Sequence, residues 1–305
     1  MSETNVIEPK KELTVVQRTK AIFENEEVKT KLREMLGNRS AGFVTSVLSV
    51  IQSNDMLKNA EPQSVYMCAM MGASLDLPIN ANLGLAYIIP YNRKQPDGSY
   101  RQYAQFQIGY KGFIQLALRS GQFKTISATP IYKGQIVSSN ALTGYEFDFE
   151  NKESDELIGY ASYFKLLNGF EKTLYMTKEE LERHGGKYSK TFKQKYGLWS
   201  TDFEAMARKT VIKLLIQRYA PLSVEMQKAT ISDQSIVNDF ETLDVDYVDN
   251  PRHLEEVDPM LERVTAMIDS AKKVDDLDKL EIEIGGIPEE CQDKFELKYT
   301  ELTKK

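Results

Sequence analysis

A strand and a helix meet over a two-glycine turn in residues 105–123, QFQIGYKGFIQLALRSGQF. Polar and apolar residues alternate up to Ile108, which is the period of a half-buried strand. Gly109 and Gly112 then lead into a stretch with the period of an amphipathic helix. This stretch joins both kinds of element at a tight corner, so the sequence predicts a fold of the α+β class.

The helix after this turn carries a polar stripe. Lys111, Gln115 and Arg119 are spaced i, i+4 and i+8 and therefore share one face. The start of the helix, beside Gly109 and Gly112, would offer backbone N–H groups and a dipole that favour an anion. Two interpretations remain open here: a strand-to-helix corner with a solvated outer face, or a surface that binds a polyanion.

The elements before the corner change from helices to strands. Helical periodicity covers residues 14–36 and 41–51, and a further helix begins near residues 61–62, with proline in its first turn. Two strands then flank the Pro-Asp-Gly turn at residues 96–98, which predicts a β-hairpin with a basic tip.

The elements after the corner are mainly strands. Strand patterns cover residues 125–137, 145–149, 158–166 and 172–176. A second strong helix is predicted for residues 201–219, where arginines and lysines crowd the face opposite the apolar one. A polar, acidic linker follows, and the last fifty residues predict two or three small helices.

Charge is distributed unevenly along the chain, whose formal net charge is −6. Residues 1–87 hold 9 basic and 10 acidic side chains, residues 88–220 hold 20 and 13, and residues 221–305 hold 10 and 22. The balances are therefore −1, +7 and −12. A basic middle segment indicates a polyanionic partner such as nucleic acid.

Several kinds of chemistry have no counterpart in the sequence. The two histidines, His184 and His253, are not part of any nucleophile or zinc motif, and no phosphate-binding loop for ATP occurs. No apolar run is long enough for a membrane span or a signal peptide, and Cys68 and Cys291 indicate reduced thiols rather than a disulfide framework. We therefore expect a cytoplasmic protein.

One acidic strand could bind a metal ion. Glu146, Asp148 and Glu150 alternate along YEFDFEN and would face one side of a strand, as in the Mg²⁺ site of a nuclease. The simpler interpretation is a solvated strand face whose aromatic neighbours point inward, and we favour it.

Basic side chains accompanied by aromatic ones suit single-stranded nucleic acid, because unpaired bases stack on aromatic rings. The candidate DNA-binding residues are Arg93, Lys94, Arg101, Tyr103, Phe106, Tyr110, Lys111, Arg119, Lys124, Lys187, Arg208, Lys209 and Lys213.

Four colinear blocks carry a resemblance to a known family. They are LDLPINANLGLAYIIPY (75–91), FQIGYKGFIQLALRSGQ (106–122), LYMTKEELERHGGKYSK (174–190) and WSTDFEAMARKTVIKLLI (199–216). Over about residues 15–220 the chain resembles the RecT/Redβ family of phage and prophage single-strand annealing proteins, on the RecT side. The resemblance implies a β-β-β-α core related to that of Rad52-type annealing proteins, flanked by N-terminal helices and a small acidic helical C-terminal region.

The resemblance also implies a function. Proteins of this family bind single-stranded DNA and anneal complementary strands without ATP, as homo-oligomeric rings or helical filaments, with no cofactor and with Mg²⁺ as a modulator at most. The variable C-terminal region binds a partner, either a paired exonuclease or the host single-strand-binding protein.

The predicted organisation follows from these observations. Residues 1–55 form an N-terminal helical region for subunit contacts, and residues 56–220 form the annealing core. Residues 221–250 form an acidic linker, and residues 251–305 form the partner-binding region. Two alternatives stay open: a metal-dependent nuclease using Glu146 and Asp148, and a protein that coats single strands passively.

Overall fold

The computed structural model describes residues 14–95, 97–140, 144–189, 192, 197–246, 267–268, 271, 273–274, 276–278, 280 and 289–303. The chain divides into two compact units, Met1–Asp249 and Asn250–Lys305. The first unit holds the mixed helix and sheet structure. In the second unit, helix α10 (Glu289–Thr303, labelled in chain order) is described together with a small apolar cluster around Ile268 and Leu277.

Four helices open the first unit. They are α1 (Val15–Glu24), α2 (Glu26–Leu36), α3 (Ser40–Ser53) and α4 (Pro62–Ser74). We expected one helix over residues 14–36, but the chain breaks at Asn25, whose side chain accepts a hydrogen bond from the Glu27 backbone N–H and so starts a new helix. Gly37, at φ 57°, ends α2.

Helix α4 is buried along most of its length and forms the centre of the main core. The apolar faces of α1, α2 and α3 contribute Phe23, Leu32 and Val47 to that same core. The N-terminal helices are therefore packed into the first unit. Their predicted role in subunit contacts applies to their outer faces and stays a prediction.

A long β-hairpin follows α4. Strands β1 (Ala86–Lys94) and β2 (Tyr100–Ile108) pair antiparallel, from Ala86 opposite Ile108 to Lys94 opposite Tyr100. One face of the hairpin, which includes Ile88 and Phe106, is buried in the core. The hairpin predicted around residues 96–98 is confirmed, and its register decides which residues share the outer face.

The remaining elements build a sheet covered by helices. They are α5 (Tyr110–Arg119), β3 (Phe123–Tyr132), β4 (Ile136–Asn140), β5 (Gly144–Phe147), β6 (Leu157–Leu166), β7 (Glu171–Thr177), α6 (Lys178–Tyr188), α7 (Leu198–Thr201) and α8 (Phe203–Tyr219). Strands β3, β6 and β7 form an antiparallel sheet in that order. Strands β4 and β5 form a separate hairpin, which lies in the chain connection from β3 to β6. The Ser162 hydroxyl of β6 donates to the Val211 carbonyl of α8, which packs against this sheet.

This arrangement confirms the prediction of an α+β fold with a β-β-β-α core and N-terminal helices. No helix in the part of the chain that the structure describes is long and apolar enough to cross a membrane.

The predicted acidic linker is where the structure differs most from our expectation. Residues 221–246 form helix α9 (Val224–Ser232) and a hairpin of β8 (Ile236–Asp239) and β9 (Asp244–Asp246). The backbone of Phe106 in β2 exchanges hydrogen bonds with Gln234 and Ser235, which ties this segment to the core. Only residues 247–250 of the expected linker lie outside the described residues.

The physical reason is an apolar pattern within an acidic composition. Met226, Ala229, Ile236, Val237 and Val245 are all buried. Their burial stabilises the segment against the core, whereas the acidic side chains around them can remain in water.

Candidate nucleic-acid interface

A groove of about 390 Å³ lies where the strand–glycine–helix corner meets the start of α8. Its walls come from the turn at residues 81–84, the start of β1, the end of β2, the first residues of α5, and α7 with the beginning of α8. The side chains that matter for its chemistry are Tyr87, Gln107, Tyr110, Lys111, Asp202, Glu204, Arg208 and Lys209. The groove thus combines cationic, aromatic and acidic groups.

Helix α5 directs its N-terminus at this groove. Gly109 is its N-cap residue and makes no side-chain capping bond, and Tyr110 and Lys111 in the first turn both line the groove. Lys111 is exposed. An uncapped helix start beside an exposed lysine favours a bound anion, because the helix dipole and the ammonium charge act in the same direction.

The two glycines have a different role from the one we predicted. We expected the helix start beside them to offer backbone N–H groups to an anion, but the space next to both glycines is filled by the protein itself. A Cβ on Gly109 would lie 2.1 Å from the Gly84 carbonyl oxygen, and one on Gly112 would lie 2.2 Å from the Leu85 carbonyl oxygen. The Gly109 N–H also donates to Leu85 O at 2.9 Å. The glycines therefore admit the chain's own 84–85 loop, and this close packing shapes the groove.

Arg208 reaches the groove from α8 and is held on several sides. Its Nε donates to Glu204 Oε1 at 2.9 Å, and its Nη1 donates to the Ala128 carbonyl of β3. The guanidinium also lies 6.0 Å from the centroid of the Tyr110 ring. Arg208, Tyr110 and Lys111, three of the candidate DNA-binding residues, therefore come together at the groove.

Lys209 and Lys213 serve the core instead of the surface. Lys209 Nζ lies 2.8 Å from Asp233 Oδ1, and Lys213 Nζ lies 2.7 Å from Asp233 Oδ2. The Asp233 carboxylate is fully buried and also accepts from the Ile108 N–H at 2.9 Å. Because Lys209 is buried and Lys213 mostly so, the prediction that they contact DNA phosphates is wrong for Lys209 and unsupported for Lys213.

Asp233, Lys209 and Lys213 form a buried charge cluster, in which burial and the neighbouring charges have opposite effects on the pKa of Asp233. Burial raises the pKa of Asp233, but the two lysine ammonium groups outweigh it and hold that pKa below its usual value. Burial lowers the pKa of Lys209, and the nearby Lys213 charge adds to that effect. The aspartate therefore stays ionised beneath the groove.

Arg119 is not part of the groove lining. Its Nη2 donates to the Leu75 carbonyl at 2.6 Å, and its Nη1 lies 3.4 Å from the Asp76 carboxylate, which also pairs with Arg39. Arg119 therefore binds the C-terminal end of α4, where the helix dipole favours a cation. The prediction that it lies with Lys111 on the DNA-facing side has no support from this geometry, because its guanidinium is held by these partners outside the groove.

The hairpin tip continues one wall of the groove. The β1–β2 register and the alternation of side chains put Tyr87, Tyr91 and Arg93 on one face of β1, with Gln107, Tyr103 and Arg101 opposite them. Tyr87 and Gln107 line the groove, and the Arg93 guanidinium lies 5.8 Å from the Tyr103 ring centroid. Gln105, between them on the same face, is buried and donates to the Gln234 carbonyl, so the accessible parts of this face lie at the groove and toward the tip, about 20 Å apart.

The other predicted residues lie elsewhere. Phe106 is completely buried, so its prediction as a DNA contact is wrong. Lys94 is exposed at the hairpin tip, opposite Tyr100. Lys124 is exposed on β3 and Lys187 on α6, and neither lines the groove.

Sequence reasoning missed Tyr87, Gln107, Asp202 and Glu204 as groove residues. Period-two alternation along β1 would have placed Tyr87 on the face of Tyr91, but the approach of α8 to that face depends on tertiary packing.

The acidic strand gives no support to a metal site. Strand β5 ends at Phe147, so Asp148 and Glu150 do not extend the strand face as expected. Glu146 accepts a hydrogen bond from Ser138, and Asp148 accepts one from the Glu150 N–H. Within the described ranges, no three His, Cys, Asp or Glu side chains come together as metal ligands would.

The model of the RecT family matches residues 41–246, which is more than half of the chain. The chain belongs to the RecT family. The matched region includes residues 221–246, in agreement with their packing into the first unit, and it ends before the second unit.

Two curated relatives illustrate this membership. The chain is 45% identical over 235 residues to the uncharacterized protein YqaK of Bacillus subtilis (strain 168), which covers 76% of this chain and 78% of that protein. It is 28% identical over 212 residues to Protein RecT of Escherichia coli (strain K12), which covers 66% of this chain and 73% of that protein. RecT-family membership implies single-strand annealing in DNA recombination.

Proposed function

We propose that this RecT-family chain binds single-stranded DNA along the groove and the outer face of the β1–β2 hairpin, and anneals complementary strands there without ATP. The convergence of Lys111, Arg208 and Tyr110 at the uncapped start of α5 is the observation that carries this proposal. Cationic groups beside aromatic rings match what a single strand presents, namely phosphates and unpaired bases.

Annealing breaks no covalent bond, so the groove needs to supply only charge neutralisation and an extended path. Lys111 and Arg208 would contact phosphates, which carry no sequence information, and base edges would stay available for pairing. This is a binding activity, and we propose that the chain is not an enzyme. Mg²⁺ would then act only by screening phosphates.

Several copies of the chain would lie along one strand, as a ring or a filament. A groove of about 300 Å³ opens between α1, α2 and α3, and its half-buried Val44 and Leu48, together with the exposed Lys20 and Arg33, suit contact with a second copy. We place this assembly in the cytoplasm of a bacterial cell, where recombining DNA is found.

The exposed lysine of the groove gives the first test. Removing one phosphate contact should reduce the slope of log K against log salt concentration by about 0.7 for single strands. We therefore expect Lys111→Gln to flatten this slope and to slow annealing in a fluorescence assay with labelled oligonucleotides. Lys58→Gln, which removes a lysine outside the groove, is the control and should leave the slope unchanged.

The same assay separates annealing from its alternatives. The reaction mixture contains EDTA and no ATP, and we expect complementary strands to pair faster with the protein than without it. Protection of single strands without faster pairing would indicate a passive coat. An unchanged slope in Lys111→Gln, with folding intact, would contradict the groove as the DNA site.

The second unit gives another test. Residues 221–305 carry a balance of −12, but the part of this segment up to residue 246 belongs to the first unit. We propose that the second unit binds a partner, either a paired exonuclease or the host single-strand-binding protein. Deleting residues 251–305 should leave annealing of purified oligonucleotides intact and abolish recombination in cells. Loss of annealing in vitro would show that this unit is part of the annealing machinery.

A further inference from the structure

The Arg208 guanidinium is fixed before any ligand arrives. Nη1 donates to the Ala128 carbonyl on β3, and the Tyr110 ring lies beside the group at 6.0 Å. These contacts come from two different elements, a strand and a helix, and they hold the group in one orientation. The side chain therefore has a preorganised edge, made of Nε and Nη2, that could receive an oxyanion in bidentate geometry.

That edge is already occupied. Nε donates to Glu204 Oε1 at 2.9 Å, and Nη2 lies 2.7 Å from the same oxygen, so one carboxylate oxygen lies against this edge. Glu204 and Arg208 both line the groove with Lys111. The glutamate side chain remains 59% exposed, whereas that of Arg208 is 23% exposed, so the acidic partner is the more easily displaced of the two.

We propose that Glu204 is an internal occupant of a phosphate subsite: its carboxylate fills the Arg208 edge in the free protein, and a phosphodiester oxygen of single-stranded DNA replaces it on binding. This inference rests on the proposed function of the groove and adds to it a residue that opposes binding. The ligand chemistry is a singly charged phosphodiester, which matches the carboxylate in charge and in its ability to accept two N–H donors.

Such a competitor suits an annealing protein. A DNA strand replaces Glu204 when it binds. When the strand leaves, Glu204 pairs with Arg208 again, so no unpaired cation remains after dissociation. Competition from Glu204 weakens the binding of a phosphate at Arg208 without abolishing it. A strand held in this way could shift its register while complementary bases are tested.

Removing the competing charge should tighten DNA binding. An exposed i, i+4 ion pair contributes little, and a carboxylate near a phosphate repels it modestly in water, so we expect Glu204→Gln to bind an oligothymidine strand about two- to fivefold more tightly. The measurement is fluorescence anisotropy of a labelled oligothymidine at fixed salt concentration.

Glu26→Gln is a matched control. Glu26 also lies in the first turn of a helix and pairs with a cation, Lys29, at 2.7 Å, but it is on α2 and does not line the groove. Its replacement changes the net charge by the same amount. Equal tightening in both variants would show a general charge effect and would overturn the subsite.

A double-variant cycle with Arg208→Gln tests whether the effect passes through the arginine. We expect the gain from Glu204→Gln to disappear in the Arg208→Gln background, with folding of each variant checked by thermal unfolding. A gain that persists there, or no gain in Glu204→Gln itself, would overturn the inference. If Lys111→Gln still weakens binding in that case, the proposed function stands and only the role of Glu204 is lost.

Discussion

Replacing Asp233 by alanine should lower the free energy of unfolding by about 3–5 kcal/mol, the cost of leaving buried charges without their partner. The carboxylate is fully buried between Lys209 and Lys213 and also accepts the Ile108 N–H. Its loss leaves two ammonium groups and a backbone donor unpaired in the core. Urea-induced unfolding followed by circular dichroism measures the effect.

Two further variants serve as controls for Asp233→Ala. Asp239→Ala removes a half-buried carboxylate at the end of β8, which accepts hydrogen bonds from the Glu241 and Thr242 N–H groups, and should cost about 1 kcal/mol. A triple variant, Asp233→Leu with Lys209→Met and Lys213→Met, makes the whole cluster apolar. It should recover much of the loss, because apolar side chains need no partner. An Asp233→Ala protein as stable as the wild type would show that the cluster is not a structural ion pair.

Gly112→Ala should be destabilising by about 1–3 kcal/mol, although alanine normally favours a helix over glycine. The added Cβ would lie 2.2 Å from the Leu85 carbonyl oxygen and 2.7 Å from Ile108 Cγ2. The 84–85 loop would have to move, and that loop forms one wall of the groove. We therefore expect weaker DNA binding together with the loss of stability.

Gly42→Ala is a close control, because Gly42 is likewise the third residue of its helix and has no atom within 4 Å of the added Cβ. It should stabilise the protein by about 0.5–1 kcal/mol. Thermal unfolding of the two variants, measured side by side, should thus shift in opposite directions. A stabilised Gly112→Ala protein would refute the close packing of the loop against α5.

Sequence reasoning predicted the elements that depend on local patterns. The hairpin around residues 96–98, the strand before Gly109 and the helix after it all follow from periodicity and turn residues. The single predicted helix over residues 14–36 was wrong only at Asn25, where a local capping bond competes with a continuous helix.

The partners of charged side chains could not be predicted in the same way. Lys111 and Arg119 share a helical spacing, yet Lys111 lines the groove whereas Arg119 binds the end of α4. Lys209 and Lys213 looked like surface cations until Asp233, from the segment expected to be a linker, proved to lie between them. Such pairings join residues far apart in the chain, and no local pattern specifies them.

Cryo-electron microscopy of the full chain, with two complementary oligonucleotides added one after the other, tests most directly whether the groove is the DNA path. The proposed DNA path predicts backbone phosphates within about 4 Å of Lys111 Nζ and of the Arg208 guanidinium, with the second strand pairing along the first. Strands that follow Lys124 and Lys187 instead, with no DNA in the groove, would contradict it.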